Sequence, residues 1–248
     1  MKTIICHFYN EEYLLPFWLN HHKSMFDKGI MINYSSTDKS VEIIKKICPD
    51  WEIIESKNKD FGAEELDAEV EMIERDVVGW RIVLNVTEFL IGDIDANCND
   101  SDLSCRYIPS AVMVCPKDME GISPEPERLL CKQFTHGIYV DNQVSIAKRG
   151  MRRMSSYSYP YNLGRHYSEP SNSNLVILWY RNSPYNDEMI KRNLQIQERI
   201  PERDRVRGFG FHHRIGRDGL ERELAEFRAH SSNIFDKYKH LIASQSGR

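Results

Sequence analysis

The feature that most constrains the fold is an alternation in the first 86 residues: short β-branched apolar runs, each followed by apolar residues recurring every three or four positions. Residues 2–8 (KTIICHF) form the first run, closed by Asn10, Glu11 and Glu12. Leu14, Leu15, Trp18, Leu19, His22, Met25 and Phe26 then fall on one helical face, with Pro16 tolerable only in a first turn. Residues 30–33 (IMIN) are the second run. Ser35, Ser36, Thr37 and Asp38 suit a helix N-terminus, and Val41, Ile43, Ile44 and Ile47 supply that helix's stripe. Residues 51–54, a helix marked by Leu66, Val70, Ile73 and Val77, and a strand over residues 80–86 complete the series. Successive strand and helix units of this size close with right-handed crossovers, so the pattern predicts an α/β fold with a mostly parallel central sheet covered by helices.

Beyond residue 92 the pattern weakens. IGDIDANCNDSDLS reads as loop, residues 106–115 as a further strand, and residues 151–174 as an irregular connection carrying exposed aromatics. Residues 184–199 and 219–242 read as helices. One domain over residues 1–248 follows, with a second half (116–248) that ends in a helical C-terminal extension. At 248 residues and 41% hydrophobic content the chain can bury one sizeable core. It has no run of eighteen apolar residues, and MKTIICHFYNEE lacks the features of a signal peptide, so a cytoplasmic protein is expected. The six cysteines form no C-x-x-C pair and are expected as reduced thiols.

The net charge of −4 hides an asymmetry. Residues 1–124 carry 12 Lys/Arg against 23 Asp/Glu, a net of −11, and the remainder 21 against 14, a net of +7. A basic half suits a phosphate-bearing ligand, an anionic membrane surface or nucleic acid, and its sign alone does not choose. The acidic front half and the lack of a nucleic-acid-binding motif argue against nucleic acid.

In an open parallel sheet, ligands bind beyond the carboxyl ends of the strands. The polar residues at those ends are His7, Tyr9, Asn10 and Glu11; Asn33, Ser36 and Asp38; and Asn85, Thr87 and Glu88. No G-x-G-x-x-G or G-x-x-x-x-G-K motif accompanies them, so a bound phosphate needs another grip.

YNEEYLLPFWLNHH, then NYSSTDKS, then GWRIVLNVTEFL resemble the nucleotide-sugar half of the inverting glycosyltransferases of family 2 and its neighbours, which have the Rossmann-like GT-A fold. The resemblance covers roughly the first 90 residues by motif. GRHY (residues 164–167) and SPYNDEMIKRNLQIQERIP support it further on. It implies a nucleotide-diphosphate sugar as donor, a glycan or lipid-linked hydroxyl acceptor, and a role in surface polysaccharide or glycolipid synthesis. It places Tyr9, Asn10, Glu11, Asn33, Ser36, Asp38, Asn85 and Thr87 around the donor. Asp67 would approach the ribose.

The family's D-x-D-E-F pattern becomes N-V-T-E-F here, with Asn85 and Thr87 in place of the two acids and Glu88 kept. Mg or Mn prefers anionic oxygen ligands, so the metal site the resemblance implies is weakened. Cations are then expected to stabilise the leaving diphosphate. The basic half offers Arg149, Arg152, Arg153, Arg165 and His166, and Arg165 with His166 is the preferred pair. Glu88 and His166 are the candidate catalytic groups. A catalytically silent nucleotide- or glycan-binding relative is the alternative. Apolar and cationic positions along residues 221–242 fit peripheral contact with an inner membrane face, and fit a core-packed helix equally well.

Overall fold

The computed structural model describes residues 1–99, 105–108, 110–117, 121–140, 149–153 and 173–243. In chain order these form β1 (Lys2–Phe8), α1 (Leu15–His22), β2 (Lys28–Asn33), α2 (Ser40–Ile47), β3 (Glu52–Glu55), α3 (Ala63–Arg75) and β4 (Trp80–Val83). There follow β5 (Glu88–Ile91), α4 (Ile94–Cys98), β6 (Cys105–Ile108), β7 (Ser110–Val114), α5 (Leu130–Gln133), β8 (His136–Val140) and β9 (Arg149–Arg152). The last elements are β10 (Val176–Trp179), α6 (Asp187–Leu194), α7 (Glu202–Val206), α8 (Gly216–Ala229), β11 (Ser232–Asn233) and α9 (Ile234–Ala243).

The first sheet runs β3-β2-β1-β4-β9-β6, with its first four strands parallel, as the alternation predicts. Strand β9 is antiparallel to both β4 and β6. Successive side chains of a strand point to opposite faces, and β1 uses both. Ile4, Cys6 and Phe8 join the main core with α1, α2 and the second sheet, while Ile5 packs with Ile30, Ile32, Tyr34 and Val83 against Leu66 and Val70 of α3. The architecture is therefore Rossmann-like α/β.

A second, mixed sheet, β11-β8-β7-β10-β5, is absent from the sequence reading. The strand expected over 80–86 ends at Val83, the chain turns, and β5 opens the second sheet at Glu88. Apolar character continues through the turn because Leu84 and Val86 are also buried, so periodicity cannot mark the break. Residues 106–115 likewise divide between β6 in one sheet and β7 in the other. The expected helix over 219–242 is broken by β11, which pairs with β8, and α9 restarts where the Asp236 N–H donates to Asn233 Oδ1 at 3.1 Å. Leu224, Ile234, Tyr238 and Ile242 turn inward, which favours the core-packed reading of this stretch over the membrane one. Among the described residues no helix is long and apolar enough to cross a membrane.

Strand β5 lies at the edge of its sheet, and α1 covers that edge. The Trp18 indole donates to the Glu88 carbonyl (2.9 Å), His21 Nε2 donates to the Leu90 carbonyl (2.6 Å), and the Leu90 N–H donates to His22 Nε2 (3.1 Å). Three side chains of one helix thus satisfy backbone groups that a neighbouring strand would otherwise pair. Both histidines are buried, where one buried and one exposed would be expected for adjacent helical positions.

Candidate functional site

The carboxyl ends of the parallel strands lie side by side. Phe8 pairs with Asn33 across β1 and β2, and Ile5 with Val83 across β1 and β4, so the segments after Phe8, Asn33 and Val83 share one sheet edge. In the order β3-β2-β1-β4 the direction of winding reverses between β1 and β4, which is where such sheets open a ligand crevice.

Two tips are strained and locked together. Asn10 and Ser35 have φ of 49° and 59°, the positive-φ non-glycine residues among those described. The Asn10 N–H donates to Ser36 Oγ (3.0 Å), the Thr37 N–H to Asn10 Oδ1 (2.8 Å), and the Ser36 N–H to Asn33 Oδ1 (2.9 Å). Asp38 accepts from the Glu12 and Ser40 N–H groups, both at 2.9 Å, and Ser40 Oγ accepts from the Glu11 N–H at 2.8 Å. Asn10, Asn33, Ser36 and Asp38 therefore form one interlocked body. Asn33 Nδ2 is spent on the Glu55 carboxylate, at 2.9 and 3.0 Å.

Beside it stands an aromatic slot. Tyr9 and Phe61 meet edge to face at 5.9 Å, and the Arg199 guanidinium lies 4.0 Å from the Tyr9 ring centre and 5.0 Å from that of Phe61. Arg199 also donates to the Tyr34 carbonyl at 2.7 Å. Below, the Glu69 carboxylate of α3 accepts from the Tyr34 hydroxyl, just past β2, at 2.7 Å. Burial pushes the Glu69 carboxyl up, but hydrogen bonds from Ser56, Tyr34, Lys57 and Asn58 outweigh it and hold the group below the ordinary carboxylate value. Asp67 is half-buried on α3.

Glu11 points into the protein, where Arg192 of α6 grips both its oxygens, one at 2.7 Å. Burial raises the Glu11 carboxyl despite the guanidinium beside it. From Arg192 a chain of hydrogen bonds, completed by one guanidinium–indole contact, runs to the β4–β5 turn. Arg192 donates to Asn193 Oδ1 (3.1 Å), Asn193 to Asn182 Oδ1 (2.9 Å), and Asn182 to Glu223 (2.8 Å), which also accepts from Arg181 (2.9 Å). The Arg181 guanidinium lies over the Trp179 ring (5.4 Å), and the Trp179 indole donates to Thr87 Oγ1 at 3.1 Å. The tips of β1 and β5 are thus joined through α6, β10 and α8.

Within the turn, Glu88 folds back on its own loop. Its carboxylate accepts from the Asn85 N–H at 2.8 Å, and its N–H donates to the Asn85 carbonyl at 2.9 Å. Glu88 and Thr87 are buried and Asn85 is half-buried. A hard divalent cation fits this donor set poorly: the turn's one carboxylate serves the backbone, the threonine oxygen accepts from an indole, and the asparagine is neutral. Among the described residues no three His, Cys, Asp or Glu side chains are grouped as a metal site.

Arg165 and His166 lie outside the described residues. Arg152 and Arg153 are placed away from the strand tips. Arg152 lies 3.0 Å from Glu74, and Arg153 stacks over Trp80 at the opposite end of β4. The sequence reading missed Trp179, Arg181, Asn182, Arg192, Asn193 and Arg199, and Gln195, whose side-chain amide donates to the Tyr9 and Asn10 carbonyls at 3.2 and 3.0 Å. One available signal was the polar run directly after the apolar VILW, the same cue that singled out the other strand ends.

No family model matches the chain, and no curated protein matches it. Solved structures similar to it are partial likenesses. The Mycobacterium tuberculosis glucosyl-3-phosphoglycerate synthase, in complex with Mn2+, UDP and glucosyl-3-phosphoglycerate, is 10% identical, with a TM-score of 0.32 over 45% of this chain and 44% of that one. S. aureus TarS 1–349 in complex with UDP-GlcNAc is 11% identical, with a TM-score of 0.42 over 79% and 63%. A 4-diphosphocytidyl-2C-methyl-D-erythritol synthase is 11% identical, with a TM-score of 0.30 over 52% and 70%. The chain thus spans less than half the length of the first and less than two thirds of the second.

Proposed function

We propose that this chain is a glycosyltransferase that moves a sugar from a nucleoside-diphosphate donor to a hydroxyl acceptor with inversion. The observation that carries the reading is the pair of strained, interlocked tips, Asn10 after β1 and Ser35–Ser36 after β2, beside the point between β1 and β4 where the winding of the parallel sheet reverses. Strain of this kind persists where the surroundings hold it, and here they are polar loops at the carboxyl edge of the parallel strands.

In this reading Tyr9 and Asn33 flank the base and ribose, and Asn10 and Ser36 shape the loop that receives them. Asn85 and Thr87 stand by the diphosphate, whose leaving charge is met by Arg165 with Arg181. Glu11 and Asp38 hold the tips in place, and Asp67 lies toward the ribose. Glu88 acts as a positioning residue that fixes Asn85, which leaves His166 to take the acceptor proton. The acceptor is a glycan or lipid-linked hydroxyl, and the setting is the cytoplasmic side of surface polysaccharide or glycolipid synthesis. Because the turn suits a cation poorly, no step is assigned to a metal.

A thermal-shift panel of uridine, thymidine, cytidine, guanosine and adenosine diphosphates tests this. One of them should stabilise the chain by about 2.7 kcal/mol at a hundredfold excess over its dissociation constant. The shift should be equal with Mn2+ and with EDTA. No shift across the panel overturns the reading. The commitment of Thr87 and Glu88 to internal partners favours, as a second reading, a relative that binds the donor without turning it over. Donor hydrolysis above background excludes that alternative.

A further inference from the structure

A cavity lies apart from the strand tips. It has a volume of about 710 Å³ and opens between α6, α8 and the segment at Gly121 and Ser123. That size suits a small-molecule or single-residue ligand site. Arg217 closes one side, bridging Asp187 of α6 at 3.1 Å and Glu221 of α8 at 3.2 Å. Arg228 closes the other, its Nε donating to the Cys115 carbonyl at 2.9 Å.

The lining has a definite chemistry. Asp187, Glu188 and Glu221 accept hydrogen bonds, and Asn186, Arg217 and Arg228 donate them. Three carboxylates against two guanidiniums leave the walls with a formal charge of −1, so a phosphate or carboxylate gains no net charge attraction there. Ile190, Leu224 and Ala225 add an apolar patch too small for a lipid chain. The half-buried Tyr185 joins that patch in the lining.

We infer that this cavity is a saccharide subsite for an uncharged sugar unit of the acceptor. Neighbouring hydroxyls on a ring both donate and accept, which matches a wall of alternating carboxylate, guanidinium and amide groups. The C–H face of the ring matches the apolar patch. The site rests on the transferase reading for its role, and its position agrees with that reading. Asn186, in its wall, donates to the Tyr13 hydroxyl (2.7 Å) in the loop after β1.

The test is binding of the intact chain to an array of neutral and anionic glycans, followed by calorimetric titration of the best binder. Neutral glycans should be retained, and Glu221→Gln and Arg217→Gln should each weaken binding about tenfold. Glu221 and Arg217 are solvent-exposed, so both variants keep the fold, and both should keep the wild-type thermal shift with nucleoside diphosphate. Retention of anionic glycans only, or titrations unchanged by both substitutions, overturns the inference. An empty array beside an intact nucleotide shift defeats the subsite and leaves the transferase reading standing. Glycan binding without any nucleotide shift defeats the transferase reading and leaves the subsite.

Discussion

His21 and His22 show how burial turns a titratable side chain into a structural one. The Leu90 carbonyl can only accept and the Leu90 N–H can only donate, so His21 carries its proton on Nε2 and His22 on Nδ1, the latter bonding the Trp18 carbonyl at 2.9 Å. A second proton on His21 would sit on a buried Nδ1 that has no partner among the described residues, and one on His22 would break the bond from Leu90. Burial accordingly lowers His21 to about 4 and His22 well below its usual value. The unfolded chain then binds protons between about pH 6.5 and pH 4 that the folded chain refuses, so stability falls on acidification through that window. For His21 alone the loss is roughly 3 kcal/mol. Urea denaturation as a function of pH should show it, and His21→Gln, which keeps a donor for Leu90 but does not titrate, should flatten the slope by about one proton.

Arg192 and Glu11 are a second such case, with side chains only 10% and 6% exposed. Arg192→Leu abandons a buried carboxylate and should cost about 3–5 kcal/mol, whereas Glu11→Gln combined with Arg192→Met should recover most of that. Equal losses in the single and double variants, read by denaturant midpoints, would show that the pair is not what holds α6 to the β1 tip.

Among the elements, α3 depends on a segment far along the chain. Its N-cap position is Gly62, which has no side chain to offer, and the Ala63 N–H instead donates to Asp204 Oδ2 of α7 at 2.7 Å. Around it, the Phe61 N–H donates to the Arg199 carbonyl (2.9 Å), Arg207 pairs with Glu64 (2.7 Å), and Arg203 pairs with Glu65. These ion pairs are solvent-exposed and contribute little, but Asp204 is only 2% exposed and replaces a cap. Asp204→Ala should therefore cost about 1–2 kcal/mol and speed amide exchange at the first turn of α3. If exchange there is unchanged, the α7 segment is not what caps the helix.

Across the whole molecule the two sheets share one core. Phe89 and Leu90 of β5, Ile177 and Leu178 of β10 and Phe134 pack in the same cluster as Ile4, Phe8 and Trp18. Unfolding followed by tryptophan fluorescence and by far-ultraviolet circular dichroism should give coincident transitions, because neither sheet keeps a closed core without the other. Separate midpoints would reveal independent units.

Much of this was legible along the chain because it is local. The β1-α1-β2-α2-β3-α3-β4 series follows from apolar periods of two and 3.6, and the polar strand tips follow from where those periods stop. The second sheet was not legible, since β4 and β5 are joined by a turn as buried as the strands it links. Nor was the partner of Glu11, 181 positions away, or the cap of α3, 141 positions away. Periodicity reports which face of an element is buried. Which distant groups meet there is fixed only when the chain closes, because a buried charge or an open helix end takes whatever partner the packing brings within hydrogen-bond reach.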